Sequence, residues 1–139
     1  LAKMIQQVVA RTLPIANEQN IDIQSQIHED VLIEVDEEKW LQALLNITIN
    51  GIRHAESVVR LTCQKRGDVI EVVVEDDGEG IEEELMPHIF HRFVRGKTGE
   101  TGLGLAIARA IVEQSGGKIQ VDRSEALGGA KFTITFLEK

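Results

Sequence analysis

Three stretches of the chain carry apolar residues at a spacing near 3.6, which predicts amphipathic helices. The first covers residues 1–20 and contains Pro14, so we expect a helix that kinks or ends shortly after that proline. The second is predicted over residues 37–54, because Asp36 is a favourable N-cap and two glutamates follow it. The third is predicted over residues 103–115, because a Gly-Gly pair directly after residue 115 is typical of a helix C-terminus. The positions that carry these periods are Ile5, Val8, Val9, Leu13, Ala16, Trp40, Leu41, Leu44, Leu45, Thr48, Ile52, Leu105, Ile107, Ala108, Ile111 and Val112, of which the last five are expected to face inward.

Alternation of apolar and polar residues predicts strands between these helices. The predicted strands cover residues 21–23, 31–35, 58–65, 69–75, 118–122 and 131–137. A hairpin is expected across Arg66-Gly67-Asp68, and a short acidic helical piece over residues 82–86 should end at Pro87. The sum is a single α/β domain over residues 1–139, a two-layer sandwich with about three helices on one face of a mixed sheet.

The composition then narrows the function. The 139 residues carry a net charge of −8, from 15 Lys plus Arg against 23 Asp plus Glu, which argues against a nucleic-acid-binding face. No apolar run approaches the roughly 18 residues of a membrane span. Cys63 is the single cysteine, so an internal disulfide is excluded and a reducing cytoplasm is favoured. The chain begins at Leu1 without a signal-peptide pattern, so we expect a fragment of a longer protein.

The second predicted helix contains unusual residues for a helix interior. Asn46 and Asn50 lie four residues apart and therefore on one face, which Arg53 and His54 continue. With Gly51, the two asparagines cost about 1–2 kcal/mol relative to alanines, so a compensating function is expected. Amide oxygens can complete a Mg²⁺ shell, and arginine can balance phosphate charge. The alternative is a hairpin turn at Asn50-Gly51 or a capped core amide, and this stretch alone does not decide between them.

A second cluster, Asp76-Asp77-Gly78-Glu79-Gly80-Ile81, directly follows a predicted strand. An aspartate at a strand end can accept a hydrogen bond from an exocyclic amine such as that of adenine, and the glycines let backbone approach a ligand. The simpler interpretation of this segment, taken alone, is a surface Asp-Gly turn.

The third predicted helix opens with a glycine-rich segment, residues 99–105. Free N–H groups and the positive end of the helix dipole at such a start can bind phosphates. The segment is neither a Walker loop nor a dinucleotide fingerprint, because it lacks the Gly-Lys-Ser/Thr end and follows no strand. Phe90 and Phe93 are interpreted as core anchors. The basic residues upstream either face the same phosphates or are solvated; they are His91, Arg92, Arg95 and Lys97.

Together and in this order, the clusters resemble the catalytic ATP-binding domain of bacterial sensor histidine kinases. That family belongs to a superfamily with gyrase-type ATPases, heat-shock chaperones and mismatch-repair proteins. The resemblance covers nearly the whole chain. Residues 45–54 are similar to the N box, 76–81 to the first glycine box, 88–93 to the F box, 102–107 to the second glycine box and 128–132 to the last glycine segment.

The resemblance implies a Bergerat-type sandwich that holds ATP beneath a lid between Phe93 and Gly102. It implies that Asp76 binds the adenine amine and that Asn50, with Asn46, binds Mg²⁺. The expected catalytic residues are Asn46, Asn50 and Arg53. The full set expected to contact the nucleotide is Asn46, Asn50, Arg53, His54, Asp76, Gly78, Gly80, Ile81, Arg95, Lys97, Thr101, Gly102, Leu103, Gly104 and Leu105.

Two departures from the family pattern stand out. Gly51 replaces the usual alanine, which should loosen the helix beside the metal site and leave the fold intact. The lid segment, residues 94–101, is short, so closure over the phosphates is expected to be weaker or to depend on a partner domain, although Gly96 and Gly99 permit large backbone movement.

Asn46 stands where hydrolytic members of the superfamily usually carry glutamate, and an amide cannot take a proton from water. We therefore expect slow hydrolysis and transfer of the γ-phosphoryl group to a histidine. None of the four histidines has a helical His-Glu-Leu-like context, so the phosphoacceptor histidine is expected on a separate dimerisation domain. Residues 1–14 resemble the connector that leads from that domain. The resemblance further implies a homodimeric, cytoplasmic kinase module with a response-regulator partner and no direct contact with membrane or nucleic acid. The alternatives are a stand-alone serine kinase of anti-sigma-factor type and a non-catalytic nucleotide-sensing module.

Overall fold

The computed structural model describes residues 1–29, 31, 33–90 and 103–137, and at residue 103 the backbone alone. Within these residues the chain forms three long helices, five strands and one 3₁₀ turn. In order they are α1 (Ala2–Glu18), β1 (Asp22–Ile27), α2 (Glu37–His54), β2 (Val58–Arg66), β3 (Val69–Asp76), the 3₁₀ helix Met86–His88, α3 (Leu103–Gln114), β4 (Lys118–Arg123) and β5 (Ala130–Leu137).

The five strands form one mixed sheet in the order β1-β2-β3-β5-β4. β1 runs parallel to β2, and the other three pairs are antiparallel. Because side chains alternate along a strand, one face of the sheet is apolar and packs beneath the helices. The fully buried core includes Trp40, Leu44, Ile47, Leu61, Val72, Ile134 and Phe132. The predicted two-layer α/β sandwich is confirmed.

α2 follows the predicted bounds, 37–54, and begins where the carboxylate of Asp36 accepts a hydrogen bond from the Lys39 amide. The helix is continuous through Asn50 and Gly51, so the alternative of a hairpin turn at that dipeptide is wrong. Trp40 is fully buried, and its indole N–H donates to Ser115 Oγ over 2.7 Å. This bond ties the start of α2 to the end of α3.

α1 ends at Glu18, one turn past Pro14, as predicted, and Pro14 is exposed, so water can satisfy the carbonyl that the proline leaves without a partner. Several other local predictions are wrong. Residues 31 and 33–35 form no strand; Val31 is buried and its carbonyl accepts from the Leu1 amino group, so the alternating pattern there serves packing. The acidic piece after residue 81 forms turns, and Pro87 lies inside the 3₁₀ helix, where its missing N–H costs nothing. Ile107, which was predicted to face inward, is 39% exposed.

Within the described ranges, no helix has the length and apolar character required to cross a membrane.

Candidate functional site

Asp76 is the last residue of β3; it is 2% exposed, and its side chain lies on the helix-covered face of the sheet. Its Oδ1 accepts hydrogen bonds from the backbone N–H of Gly78 at 2.9 Å and of Ala130 at 3.3 Å. Oδ2 faces Gly51 of α2, where a Cβ would lie 4.0 Å away. No described residue donates to Oδ2. One oxygen of this buried carboxylate is therefore anchored by backbone, and the other has no hydrogen-bond donor among the described residues.

Burial raises the pKa of Asp76 above its usual value. The hydrogen bonds from Gly78 and Ala130 and the nearby His54 favour the charged form and offset part of this increase in pKa. The negative charge of Asp77 raises the pKa further. A donor that reaches Oδ2 would lower this pKa again, because it stabilises the ionised carboxylate. The site is therefore suited to a ligand that presents a hydrogen-bond donor.

Glycines let the backbone close around Asp76. A Cβ on Gly129 would lie 2.2 Å from Asp76 Oδ1, and a Cβ on Gly78 would lie 1.9 Å from the carbonyl oxygen of His54. No side chain fits at either position. Gly80 has φ of +81°, a conformation that favours glycine. These three residues are glycines for steric reasons, and the alternative of an ordinary surface turn does not account for them.

The next residue, Asp77, fixes the turn between α2 and β2. Its Oδ1 accepts from the backbone N–H groups of Glu56, Ser57 and Val58, and its Oδ2 accepts from the Ser57 hydroxyl. Burial opposes ionisation here, but the hydrogen bonds from Ser57, Val58 and Glu56 outweigh it and lower the pKa of Asp77 to about 2. The carboxylate thereby fixes the chain just after His54 to the end of β3.

The predicted metal-binding face of α2 borders the start of α3. Asn46 is half-buried, and its Nδ2 donates to the Gly104 carbonyl at 3.2 Å. This bond orients the amide and directs its donor group toward α3. Asn50 is half-buried one turn later. Arg53 is exposed and His54 half-buried in the last turn, where cations suit the negative end of the helix dipole.

In the part of the chain that the structure describes, no cluster of three His, Cys, Asp or Glu side chains could hold a metal ion. A divalent ion would depend on amide oxygens together with oxygens of a phosphate ligand, which is how Mg²⁺ is commonly bound with nucleotides. The amide of Asn46, oriented through Gly104, and the neighbouring Asn50 fit that donor set.

The start of α3 lies against this face. A Cβ on Gly104 would be in ordinary contact, 3.7 Å from Asn46 Cγ. Leu105 is 6% exposed and packs in the core, so at this position only its backbone could face a ligand. Four predicted nucleotide-binding residues, the basic pair Arg95 and Lys97 together with Thr101 and Gly102, lie outside the described residues, as do the Leu103 side chain and the lid segment.

Two of the remaining predictions can be placed. Ile81 is half-buried and packs against the hydrophobic core. Phe90 forms an edge contact with Phe132 at 6.0 Å, and the Arg109 guanidinium lies 5.9 Å from its ring centre. Its interpretation as a core anchor is confirmed, whereas Phe93 lies outside the described residues.

Sequence reasoning assigned no individual site role to the residues that border Asp76 from other elements. Gly129 and Ala130 of the last glycine segment supply backbone to Asp76, and Gly51 leaves open space beside Oδ2. The Gly-Gly pair before the last strand was a visible signal. Its position beside Asp76 depends on the pairing of β3 with β5, which no local pattern specifies.

Residues 35–139 match the model of the histidine kinase-, DNA gyrase B- and HSP90-like ATPase family. The sensor histidine kinase YkoH of Bacillus subtilis is 36% identical over 117 residues, covering 80% of this chain and 26% of that protein. The heme sensor protein HssS of Staphylococcus saprophyticus is 34% identical over 140 residues, covering 98% of this chain and 30% of that protein. The chain thus spans under a third of the length of these relatives.

Solved structures agree with this assignment. The catalytic domain of histidine kinase ThkA is 30% identical, with a TM-score of 0.88 over 99% of this chain and 92% of that one. Full-length ShkA in complex with AMPPNP is 29% identical, with a TM-score of 0.86 over 99% of this chain and 30% of that one. The chain belongs to the histidine kinase-, DNA gyrase B- and HSP90-like ATPase family, and its architecture is that of a histidine kinase catalytic domain.

Proposed function

We propose that this domain binds Mg-ATP and supplies the γ-phosphoryl group to a histidine on a separate dimerisation domain of a two-component sensor kinase. The observation that carries the proposal is Asp76, a buried carboxylate with one oxygen held by backbone N–H groups and the other beside α2 without a donor among the described residues. Oδ2 can accept a hydrogen bond from the exocyclic amine of adenine, because an ionised carboxylate is an acceptor. Guanine presents a carbonyl at that position and cannot donate this bond.

The phosphates are assigned to the face of α2 that carries Asn46, Asn50 and Arg53, at spacings of four and three residues. Asn46 precedes Gly51, which faces Asp76, by five residues, or about 7.5 Å of helix axis. The amide oxygens of Asn46 and Asn50 would hold Mg²⁺, and Arg53 would neutralise phosphate charge. The ion supplies charge neutralisation of the phosphates, and the residues of this chain bind and orient the nucleotide.

The family resemblance assigns the rest of the kinase to other parts of the protein. A dimerisation domain with the acceptor histidine, a response regulator, and a homodimeric, cytoplasmic assembly belong to this proposal. The complex of full-length ShkA with AMPPNP supports adenine nucleotide as the ligand.

Calorimetry with ADP and GDP, with and without Mg²⁺, tests the binding site. We expect Mg-dependent ADP binding that Asp76→Asn weakens by about tenfold or more, since a hydrogen bond to a charged acceptor is worth about 1.5–3 kcal/mol. Asp122→Asn, an exposed change on β4, is the control and should bind normally. Absence of Mg-dependent binding, or equal loss for both bases, would contradict the assigned roles.

Incubation with labelled ATP and the dimerisation domain of the same kinase tests the transfer. We expect an acid-labile phosphoryl group on that domain, as phosphohistidine requires. An acid-stable product on a serine would favour the anti-sigma-factor type of kinase. Nucleotide binding without transfer to either acceptor would favour a non-catalytic nucleotide-sensing module.

A further inference from the structure

Glu75, the residue before Asp76, points to the opposite face of the sheet and is 7% exposed. Its Oε1 accepts from Arg60, with Nη2 at 2.9 Å and Nε at 3.3 Å. Its Oε2 accepts from the hydroxyl of Ser124 at 2.7 Å. Both oxygens of this second carboxylate are therefore engaged within the protein, and none of the roles assigned above uses it.

Ser124 follows β4 directly and is fully buried. Its hydroxyl oxygen accepts from the Leu127 amide at 3.0 Å while its hydrogen is given to Glu75. Its backbone N–H donates to the Gly129 carbonyl at 2.7 Å, and its carbonyl accepts from the Gly128 amide at 2.7 Å. Each polar group of this serine thus holds the connection between β4 and β5 in one conformation.

The two residues that follow this turn are those that reach Asp76. The Gly129 amide donates to the Asp76 carbonyl at 3.0 Å, and the Ala130 amide donates to Asp76 Oδ1 at 3.3 Å. We propose that Ser124 and Glu75 form a positioning pair that orients Asp76 toward the nucleotide base from the opposite face of the sheet. This inference rests on the proposed role of Asp76 as the base-recognising residue.

The pair can act in this way because Glu75 and Asp76 are joined by one planar peptide bond. Glu75 fixes Ser124, Ser124 fixes the turn, and the turn supplies the N–H groups that hold Asp76 Oδ1. If the turn moves, the 3.3 Å hydrogen bond from the Ala130 amide is lost first, because it is already close to the upper limit of hydrogen-bond distance. Asp76 then gains rotational freedom, and Oδ2 no longer has one orientation.

Ser124→Ala removes the hydroxyl at minimal change in volume, and Ser115→Ala is the matched control. Ser115 also uses its hydroxyl twice, accepting from Trp40 and donating to the Ile111 carbonyl, but at the far end of α3. We expect Ser124→Ala to weaken Mg-ADP binding about tenfold, with little change in the affinity for inorganic triphosphate. Ser115→Ala should lower the unfolding free energy comparably and leave the Mg-ADP affinity within twofold.

Two measurements separate positioning from general destabilisation. Hydrogen exchange should be faster at the Ala130 amide in Ser124→Ala and unchanged in Ser115→Ala. The pH at which Mg-ADP binding is lost on acidification should move upward, because Asp76 has one fewer donor to its charged form. The other charged groups that face Asp76, His54 and Asp77, are unaltered by either change.

A double-mutant cycle tests whether the two residues act as one unit. Ser124→Ala, Glu75→Ala and the double variant should show similar losses of Mg-ADP affinity, because removing either partner breaks the same connection. Fully additive losses, or a Ser124→Ala variant with normal affinity and normal Ala130 exchange, would overturn the positioning pair. If the unaltered domain itself binds no Mg-ADP, it is the proposed function that fails, whereas the exchange result at Ala130 still reports on the pair.

Discussion

Gly51 of α2 faces Asp76 of β3 across the layer between helices and sheet, and the space between them accommodates a methyl group. A Cβ on Gly51 would lie 3.5 Å from Val59 Cγ1 and 4.0 Å from Asp76 Oδ2, both ordinary contact distances. The helix remains regular at this position. Glycine is therefore not required there by packing, although it costs helix stability.

Gly51→Ala should raise the free energy of unfolding by about 1 kcal/mol, because alanine is the better helix former and meets no clash. Urea unfolding followed by circular dichroism measures this. Gly117→Ala is the contrasting variant, since its Cβ would lie 3.0 Å from the Thr135 carbonyl oxygen and should destabilise by about 1–3 kcal/mol. A destabilised Gly51→Ala variant would show that the space is not available.

Gly129→Ala should abolish measurable Mg-ADP binding, because the methyl group would overlap Asp76 Oδ1 and displace it. Gly128→Ala is the control: its φ of +94° makes alanine strained, but nothing lies within 4 Å of its Cβ. Both variants should lose stability, and calorimetry should show that only Gly129→Ala loses the ligand. Equal affinities would separate Gly129 from the site.

Asp76→Asn should stabilise the ligand-free domain at neutral pH while it weakens nucleotide binding. The pKa of Asp76 is raised by burial, so its contribution to stability is fully present below the unfolded-state pKa and is lost as the pH rises through the folded-state pKa. The neutral amide avoids that loss and can still accept from Gly78 and Ala130 through one oxygen. Thermal unfolding at pH 7 and pH 4 should show a stabilisation that shrinks at the lower pH. An equal difference at both pH values would exclude ionisation as its cause.

Asp77→Asn should destabilise the domain by about 1–3 kcal/mol at pH 7, because it weakens charge-assisted hydrogen bonds to residues 56–58. The folded-state pKa of Asp77 is lowered to about 2, so this stability is present above pH 4 and is lost as the pH falls toward 2. Urea titrations should therefore converge for the two proteins in that window. Asp68→Asn, exposed in the β2–β3 turn, should follow the unaltered protein throughout.

Asn50→Asp should reduce phosphoryl transfer about tenfold more than it reduces Mg-ADP affinity. The added negative charge would lie beside the phosphates and alter the assigned metal site, whereas base recognition at Asp76 would persist. Single-turnover transfer and calorimetry on the same protein measure the two effects. Asn17→Asp, an exposed change in α1, serves as the control. A normal transfer rate in Asn50→Asp would place the metal elsewhere.

The sequence by itself determined the elements whose pattern is local. The 37–54 helix, the hairpin of β2 and β3 and the final pair of strands follow their periodicity, cap and turn residues to within one residue. The same reasoning located Asp76, Asn46 and Asn50 as unusual residues, because each departs from what its element alone would favour. It failed at residues 31 and 33–35, which form no strand although the pattern there alternates.

Only the tertiary structure decided what surrounds those residues. Asp76 Oδ1 is held by the amide of Ala130, 54 residues away, whereas Oδ2 has no described donor. The neighbouring carboxylate of Glu75 accepts from the hydroxyl of Ser124, 49 residues away. The pairing of β3 with β5 and the position of α2 bring these groups together. Periodicity reports which face of an element is buried, but not which element covers it, since that depends on contacts between distant parts of the chain.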